Sequence, residues 1–165
     1  MIKLIKNLGS KLLLLYCAFR YNKGLLSQCK VNGKCRFNGK EKFGKNVNFN
    51  GVKVYGKGQV TFGNNFHSAE GLRILTSFHN YKGDRIPYDH TIITKDIDIE
   101  DNVWVGLDVI ILGGVTVGEG AIIQAGAVVV KSIPKYAICG GNPAQVFAMR
   151  DIPHYERLKM EGKVY

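Results

Sequence analysis

At 165 residues the chain fits one domain with a real core, and its 45% apolar content argues against disorder. The formal net charge of +10 is unevenly placed, since residues 1–60 hold thirteen of the 23 Lys and Arg but only Glu41 among the 13 acids. A basic half suits anionic lipid or a polyanionic substrate or cofactor, whereas nucleic acid is excluded because no helix-turn-helix, zinc finger or aromatic-basic module is present.

Residues 1–28 open with MIKLIKNLGSKLLLLYCAFR. The run from Leu12 to Phe19 is apolar for eight residues, far short of a membrane span, and no convincing cleavage site comes after it. Leu4, Ile5, Leu8, Leu12, Leu15 and Phe19 fit helical spacing, with Lys3, Lys6 and Lys11 around them. Two uses stay open for such a helix. It caps the first strand layer of the adjoining domain, or it rests on the inner membrane as a basic amphipathic segment near lipid-linked sugars. The four cysteines (Cys17, Cys29, Cys35 and Cys139) form no close metal-type pair and read as reduced thiols, which fits a cytoplasmic protein.

From Phe37 the apolar residues recur in sixes: Phe37, Phe43, Phe49 and Tyr55 are expected to point inward. A one-residue insertion near Gly58 moves the next to Phe62, and Val47 and Phe66 take fifth positions. Asn46, Asn48, Asn50, Asn64 and Asn65 suit corners, where asparagine tolerates left-handed backbone.

The walk breaks between His79 and Thr91. The polar stretch 80–91 carries Gly83, Pro87, Asp84, Asp89 and His90, and a loop thrown out of a rigid scaffold is where binding groups gather. The sixes then resume from Ile93 to Pro134. First positions are Ile93, Ile99, Val105, Ile111, Val117, Ile123 and Val129; fifth positions are Ile97, Val103, Val109, Val115, Ala121, Ala127 and Ile133. A period of six is neither helical nor a plain strand alternation. It predicts short strands and bends, three sixes to a triangular turn, with like residues stacked about 4.8 Å apart. The fold class is therefore an all-β solenoid. Its repeat domain covers 31–134 with a loop protruding at 80–91, residues 1–28 precede it, and 135–165 form a carboxyl extension. That extension is expected to form one short helix at 144–150 and another from about 154.

The motifs IEDNVWVG, VIILGGVTVGEGAIIQAGAVV and GGNPAQVF, with FHNYKG upstream, resemble those of the hexapeptide-repeat acyltransferases, bacterial sugar and polysaccharide O-acetyltransferases in particular. The resemblance implies a left-handed parallel β-helix, a homotrimer with active sites between subunits, and acetyl-coenzyme A as acetyl donor. It implies His79 as catalytic base: an imidazole titrates near neutrality and can take the acceptor's hydroxyl proton as the thioester is attacked. Asp84 and Asp89 are candidates to orient it. Trp104 is expected to line the acyl groove and, with His67, Asp84, Asp89 and His90, the acceptor pocket. The backbone at Gly106 and Leu107 corresponds to the family's acetyl-carbonyl donor. Ala125 and Gly126 match the pantetheine site, Lys131 and Lys135 lie past them for the cofactor's phosphates, and Asn142 and Pro143 match the adenine end.

The expected function is transfer of acetyl to a sugar hydroxyl in capsule, lipopolysaccharide or exopolysaccharide synthesis, the acceptor being a carbohydrate of anionic or lipid-linked kind. Two other readings stay open: N-acetylation of an aminosugar nucleotide, and a non-catalytic or zinc-binding trimeric scaffold. The spacing of His67, His79 and His90 does not match the zinc-binding relatives, so no metal is assigned.

Overall fold

The computed structural model describes Leu12 and residues 29–165; the expected amino-terminal helix, with its capping or membrane role, lies outside the described residues. The chain winds through six coils, each a triangle with faces A, B and C. The first coil holds β1 (Cys29–Val31) and β2 (Glu41–Phe43), and the second β3 (Val47–Phe49), β4 (Val52–Tyr55) and β5 (Val60–Phe62). The third holds β6 (His67–Ser68) and β7 (Leu72–Leu75), then an arm made of β8 (Ser77–His79) and β9 (Ile92–Thr94), then β10 (Ile97–Ile99). The fourth holds β11 (Trp104–Val105), β12 (Ile110–Leu112) and β13 (Thr116–Val117), and the fifth β14 (Ile122–Ile123) and β15 (Val128–Val129). The sixth begins with β16 (Ala137–Gly140), before β17 (Gln145–Met149) and α1 (Ile152–Met160).

Every coil strand pairs in parallel with its counterpart one coil away: β1-β3-β6-β11-β14-β16 on face A, β4-β7-β12-β15 on face B, β2-β5-β10-β13 on face C. The register explains the period of six. On face A, Val31, Phe49, Ser68, Val105, Ile123 and Cys139 form one inward column, because Val31 pairs with Phe49, Phe49 with Ser68, and so on. All of these are buried. The predicted first positions 99–129 and fifth positions 97–133 are buried throughout, so each apolar residue stacks on the next coil's equivalent.

The first coils replace aliphatic stacking with rings. Phe49 meets Phe37, Phe43, Phe62 and Phe66 at centroid distances of 5.4, 5.9, 5.0 and 5.6 Å, mostly edge to face, the geometry ring quadrupoles favour.

Three expectations are corrected. Tyr55 points outward, 36% exposed, with the Arg36 guanidinium 5.5 Å over its ring. The inward residue is Val54, because the face A to B corner of this coil is one residue short, while the stretch on to Phe62 on face C carries two extra. Ile93 does not belong to the coil stack; it pairs antiparallel with Phe78 in the arm, so the regular repeat resumes at Ile97. Residues 145–149 are strand, not helix. β17 folds back antiparallel on β16 and covers the last edge of face A, whose unpaired N–H and C=O groups would otherwise be open to another strand. One helix, α1, comes after it; Asp151 caps it by accepting from the His154 N–H at 3.0 Å, and a proline lies in its first turn.

Candidate active site

The three edges between faces carry different chemistry. On the A/B edge, successive coils stack the residues that the sequence assigned to the acetyl group and the cofactor. Gly106 N–H donates to Ile123 O at 2.8 Å, Gly126 N–H to Leu107 O at 2.7 Å, and Val128 N–H to Gly141 O at 3.0 Å. Gly106–Leu107, Ala125–Gly126 and Gly141–Asn142–Pro143 therefore lie one above another along a single edge. Gly106 is needed there for close approach, since a Cβ would sit 2.6 Å from the Ala125 nitrogen. Ala125 and Gly126 are exposed and small, which leaves the edge open, and the Leu107 N–H makes no hydrogen bond among the described residues. A cleft of about 510 Å³ opens beside Leu107. Its charges largely cancel: Lys34, Lys53 and Arg73 face Glu70 and Asp108, and Arg73 lies 3.5 Å from Asp108.

His79 is on the B/C edge. It ends β8, two residues out from the arm's base, where Ser77 pairs with Thr94. Its exposed ring stacks on Tyr88, with centroids 3.9 Å apart and planes 17° from parallel. Of the candidates to orient it, Asp89 is engaged otherwise. Asp89 is 7% exposed and accepts from the Thr91 N–H at 2.8 Å and the Thr91 hydroxyl at 2.5 Å. The hydroxyl bond, then the amide bond, hold its carboxyl below the usual range. It braces the arm, and Gly83 packs so closely on its carboxylate that a Cβ there would overlap it. Asp84 and His90 lie exposed on the same arm.

Face A collects the rest. Trp104 pairs in register with His67 one coil earlier, and the residue is 54% exposed. His67 is fixed: the Asn48 amide donates to its Nε2 at 3.1 Å, and the Tyr165 ring lies against it at 5.2 Å. Burial, then the charge of Lys30, lowers its pKa, which favours neutral imidazole. The structure thus brings His67 and Trp104 together and separates them from Asp84, Asp89 and His90.

The lysines assigned to the cofactor's phosphates fall off the A/B edge. Lys131 succeeds β15 onto the B/C edge, and Lys135 lies toward the C/A edge, 3.7 Å from both Glu100 and Glu119. Its charge is used inside the chain. Glu119 sits at the centre of that cluster: burial works to raise its pKa, but Lys159, Tyr155 and Lys135 outweigh it and the net direction is down. Cys139 and Cys29 are buried free thiols; burial pushes Cys29 up to about 12, so neither is a ready nucleophile.

Sequence reasoning missed the groups that α1 and the tail bring to face A. Arg150, Tyr155, Lys159 and Lys163 wall a cleft of about 390 Å³ whose floor includes His67, Asn102 and Trp104. The only signal was the density of basic and aromatic residues after the repeats stop. Among the described residues, no helix is long and apolar enough to cross a membrane, and no group of three or more His, Cys, Asp or Glu could hold a metal ion.

Residues 96–131 match the model of the bacterial transferase hexapeptide family (six repeats). A chloramphenicol acetyltransferase of Agrobacterium fabrum is 42% identical over 55 residues, 33% of this chain and 26% of that protein. The matched segment thus spans about a quarter of that curated relative. A hexapeptide-repeat acetyltransferase from Vibrio cholerae superposes with a TM-score of 0.63 at 27% identity, covering 74% of this chain and 70% of that one. The same protein is known in complex with acetyl-coenzyme A. A polysialic-acid-specific acetyltransferase superposes with a TM-score of 0.57 at 27% identity, covering 73% of this chain and 56% of that one. The match to the family model covers the coils from Asp96 to Lys131, and the solved acetyltransferases share the three-faced winding, so residues 96–131 carry the repeats of the bacterial transferase hexapeptide family and the described coils form a left-handed parallel β-helix of that type.

Proposed function

We propose that the protein is an acetyl-coenzyme A-dependent O-acetyltransferase acting on a carbohydrate hydroxyl, with His79 as the base and the Leu107 N–H as the oxyanion donor. The observation that carries this reading is the division of labour between edges. An open row of small residues and a free N–H runs along the A/B edge, while an exposed imidazole is held on a braced arm at the B/C edge. The residues of the A/B edge fit a thioester cofactor, because an extended pantetheine arm needs close backbone approach and Ala125 and Gly126 allow it. Acetyl-coenzyme A supplies an acyl group already activated as a thioester.

The residues then have balanced tasks. His79 accepts the acceptor's hydroxyl proton as that oxygen attacks the thioester carbonyl carbon. Leu107 N–H donates to the carbonyl oxygen as negative charge develops there. When the carbon–sulfur bond breaks, the imidazolium returns its proton to the thiolate, leaving an acetyl ester and the free thiol. No acyl-enzyme is needed, which fits the burial of Cys29 and Cys139.

Face B separates the two edges. A strand such as β4, with four residues, spans roughly 13 Å at ~3.3 Å per residue, too far for one chain to make both contacts at hydrogen-bond range. The site is therefore completed by the A/B edge of a second copy facing the arm, in a closed ring of three.

Thiol release from acetyl-coenzyme A, measured with a panel of neutral and acidic sugars, tests the proposal. Acceptor-dependent release is expected, falling about 10²- to 10⁴-fold in His79→Ala, the range for loss of a general base. Release that needs no acceptor, or that survives His79→Ala unchanged, overturns it. If only amines accept the acetyl group, N-acetylation replaces the O-acetyl reading.

A further inference from the structure

The cleft between face A and α1 differs from the other described cavities in its charge balance. Its walls carry Arg150, Lys159 and Lys163, and no aspartate or glutamate lines it. Two of the three cations are already matched: Lys159 pairs with Glu119, and Lys163 with Glu161 at 2.7 Å. Arg150 is not. Its Nε donates to Gly120 O at 2.5 Å and its guanidinium lies 5.4 Å from the Tyr155 ring centre, but no carboxylate among the described residues reaches it within 4 Å. The terminal nitrogens of this half-buried guanidinium have no partner among the described residues and are open to pair with an anion. Trp104, half-exposed on the same floor, presents a flat apolar face of the kind on which a sugar ring packs.

We infer that this cleft binds a carboxylated sugar, with the Arg150 guanidinium gripping the carboxylate and the Trp104 ring carrying the sugar's apolar face. The guanidinium fork fits the two oxygens of a planar carboxylate, and a single unmatched cation suits a single negative charge better than a phosphate dianion. The basic first coils, which the sequence suggests for an anionic acceptor, are less suited. The cleft at Lys34, Lys53 and Arg73 brings its own Glu70 and Asp108. As an acceptor site the cleft rests on the acetyl-transfer reading, but binding there stands apart from catalysis and can be measured alone.

Trp104 is the only tryptophan of the chain, so its intrinsic fluorescence reports on the cleft directly. Full-length protein without acetyl-coenzyme A is titrated with sialyllactose, with lactose as its neutral counterpart, and with adenosine 3′,5′-bisphosphate as a phosphate probe. Saturable change with sialyllactose and none with lactose is expected. Arg150→Gln should weaken it about tenfold or more, the loss of a charge-assisted pair, and Arg150→Lys should fall between. Lys53→Gln should leave it unchanged. Far-ultraviolet circular dichroism confirms that each variant keeps the coil, and Arg150→Lys carries the test if Arg150→Gln does not fold. An equal response to lactose, or a bisphosphate response that alone disappears in Arg150→Gln, overturns the inference; the second would make the cleft a phosphate site. Acetyl transfer to neutral sugars with no binding of sialyllactose defeats this inference and leaves the transfer reading intact. Binding of sialyllactose with no transfer to any acceptor defeats the transfer reading and leaves the cleft as a lectin-like site.

Discussion

At the C/A edge, five successive coils turn through one residue in the left-handed region: Asn46, Asn65, Asn102, Gly120 and Tyr136, with φ between 54° and 69°. Asparagine bears this conformation at low cost and also binds its neighbour in the column, Asn46 Nδ2 donating to Asn65 Oδ1 at 3.1 Å and Asn65 Nδ2 to Asn102 Oδ1 at 2.9 Å. A tyrosine there is strained and needs fixing from outside. Its hydroxyl donates to Glu156 at 2.7 Å and its ring packs on Tyr155, so α1 holds the last corner in place. Among the described residues, the inward columns hold one local misfit, Ser68, whose buried hydroxyl lies between Phe49 and Val105 with no hydrogen-bond partner there. Desolvating a hydroxyl without a partner costs about 1–3 kcal/mol. Ser68→Ala should therefore be neutral or stabilising, raising the thermal midpoint by up to about 2–4 °C per kcal/mol for a chain of this size. A lowered midpoint on thermal denaturation would mean that the hydroxyl has a partner after all.

Among the elements, the arm is the one least supported by the coil, and it is held by a local device. Asp89 N–H donates to Asn80 O, Asn80 N–H to Thr91 O, and the Asp89 carboxylate takes both the amide and hydroxyl of Thr91. Because these bonds depress the Asp89 pKa, the stabilisation is complete above the ordinary carboxylate value of about 3.9 and fades as pH falls through the lower folded value. Pepsin should accordingly leave the arm intact near pH 5 and cut it at Tyr81 or Tyr88 near pH 2, while Asp89→Asn is cut at both; an arm equally resistant throughout would remove Asp89 as the brace. The arm also shows where sequence reading succeeds and where it stops. Its presence was legible because residues 80–91 break a strict period, and the columns from Ile97 to Ile133 were legible because the stacking demands the same two inward positions in every six. Tyr55 was misplaced because its coil takes a shorter corner after Phe49, and periodicity cannot say which corner absorbs a missing residue. The stretch 145–149 was misread because β17 exists to cover an edge made by β16, a tertiary demand with no local pattern. Arg150 went unnoticed for the same reason: only the return of α1 over Gly120 brings it beside Trp104.

For the molecule as a whole, the spacing of the edges dictates how activity must depend on assembly. His79 and the Leu107 N–H stand on opposite edges of face B, so under the proposed function a protomer would carry half of each of two sites rather than one whole site. Two variants that damage different halves should then rescue one another. His79→Ala removes the base but leaves the A/B edge open. Ala125→Phe fills that edge at an exposed position, where bulk has room to protrude without crossing the core, and leaves the arm untouched. Each variant alone should be inactive. When the two are unfolded, mixed in equal amounts and refolded, a site is whole only where an Ala125→Phe arm meets a His79→Ala edge, which random assembly into a closed ring gives for about one site in four. Recovery of roughly a quarter of wild-type thiol release is the expected result. No recovery, from a mixture that reassembles to the same size on a sizing column, would mean that base and oxyanion donor act within one chain and that the arm reaches across face B to its own A/B edge.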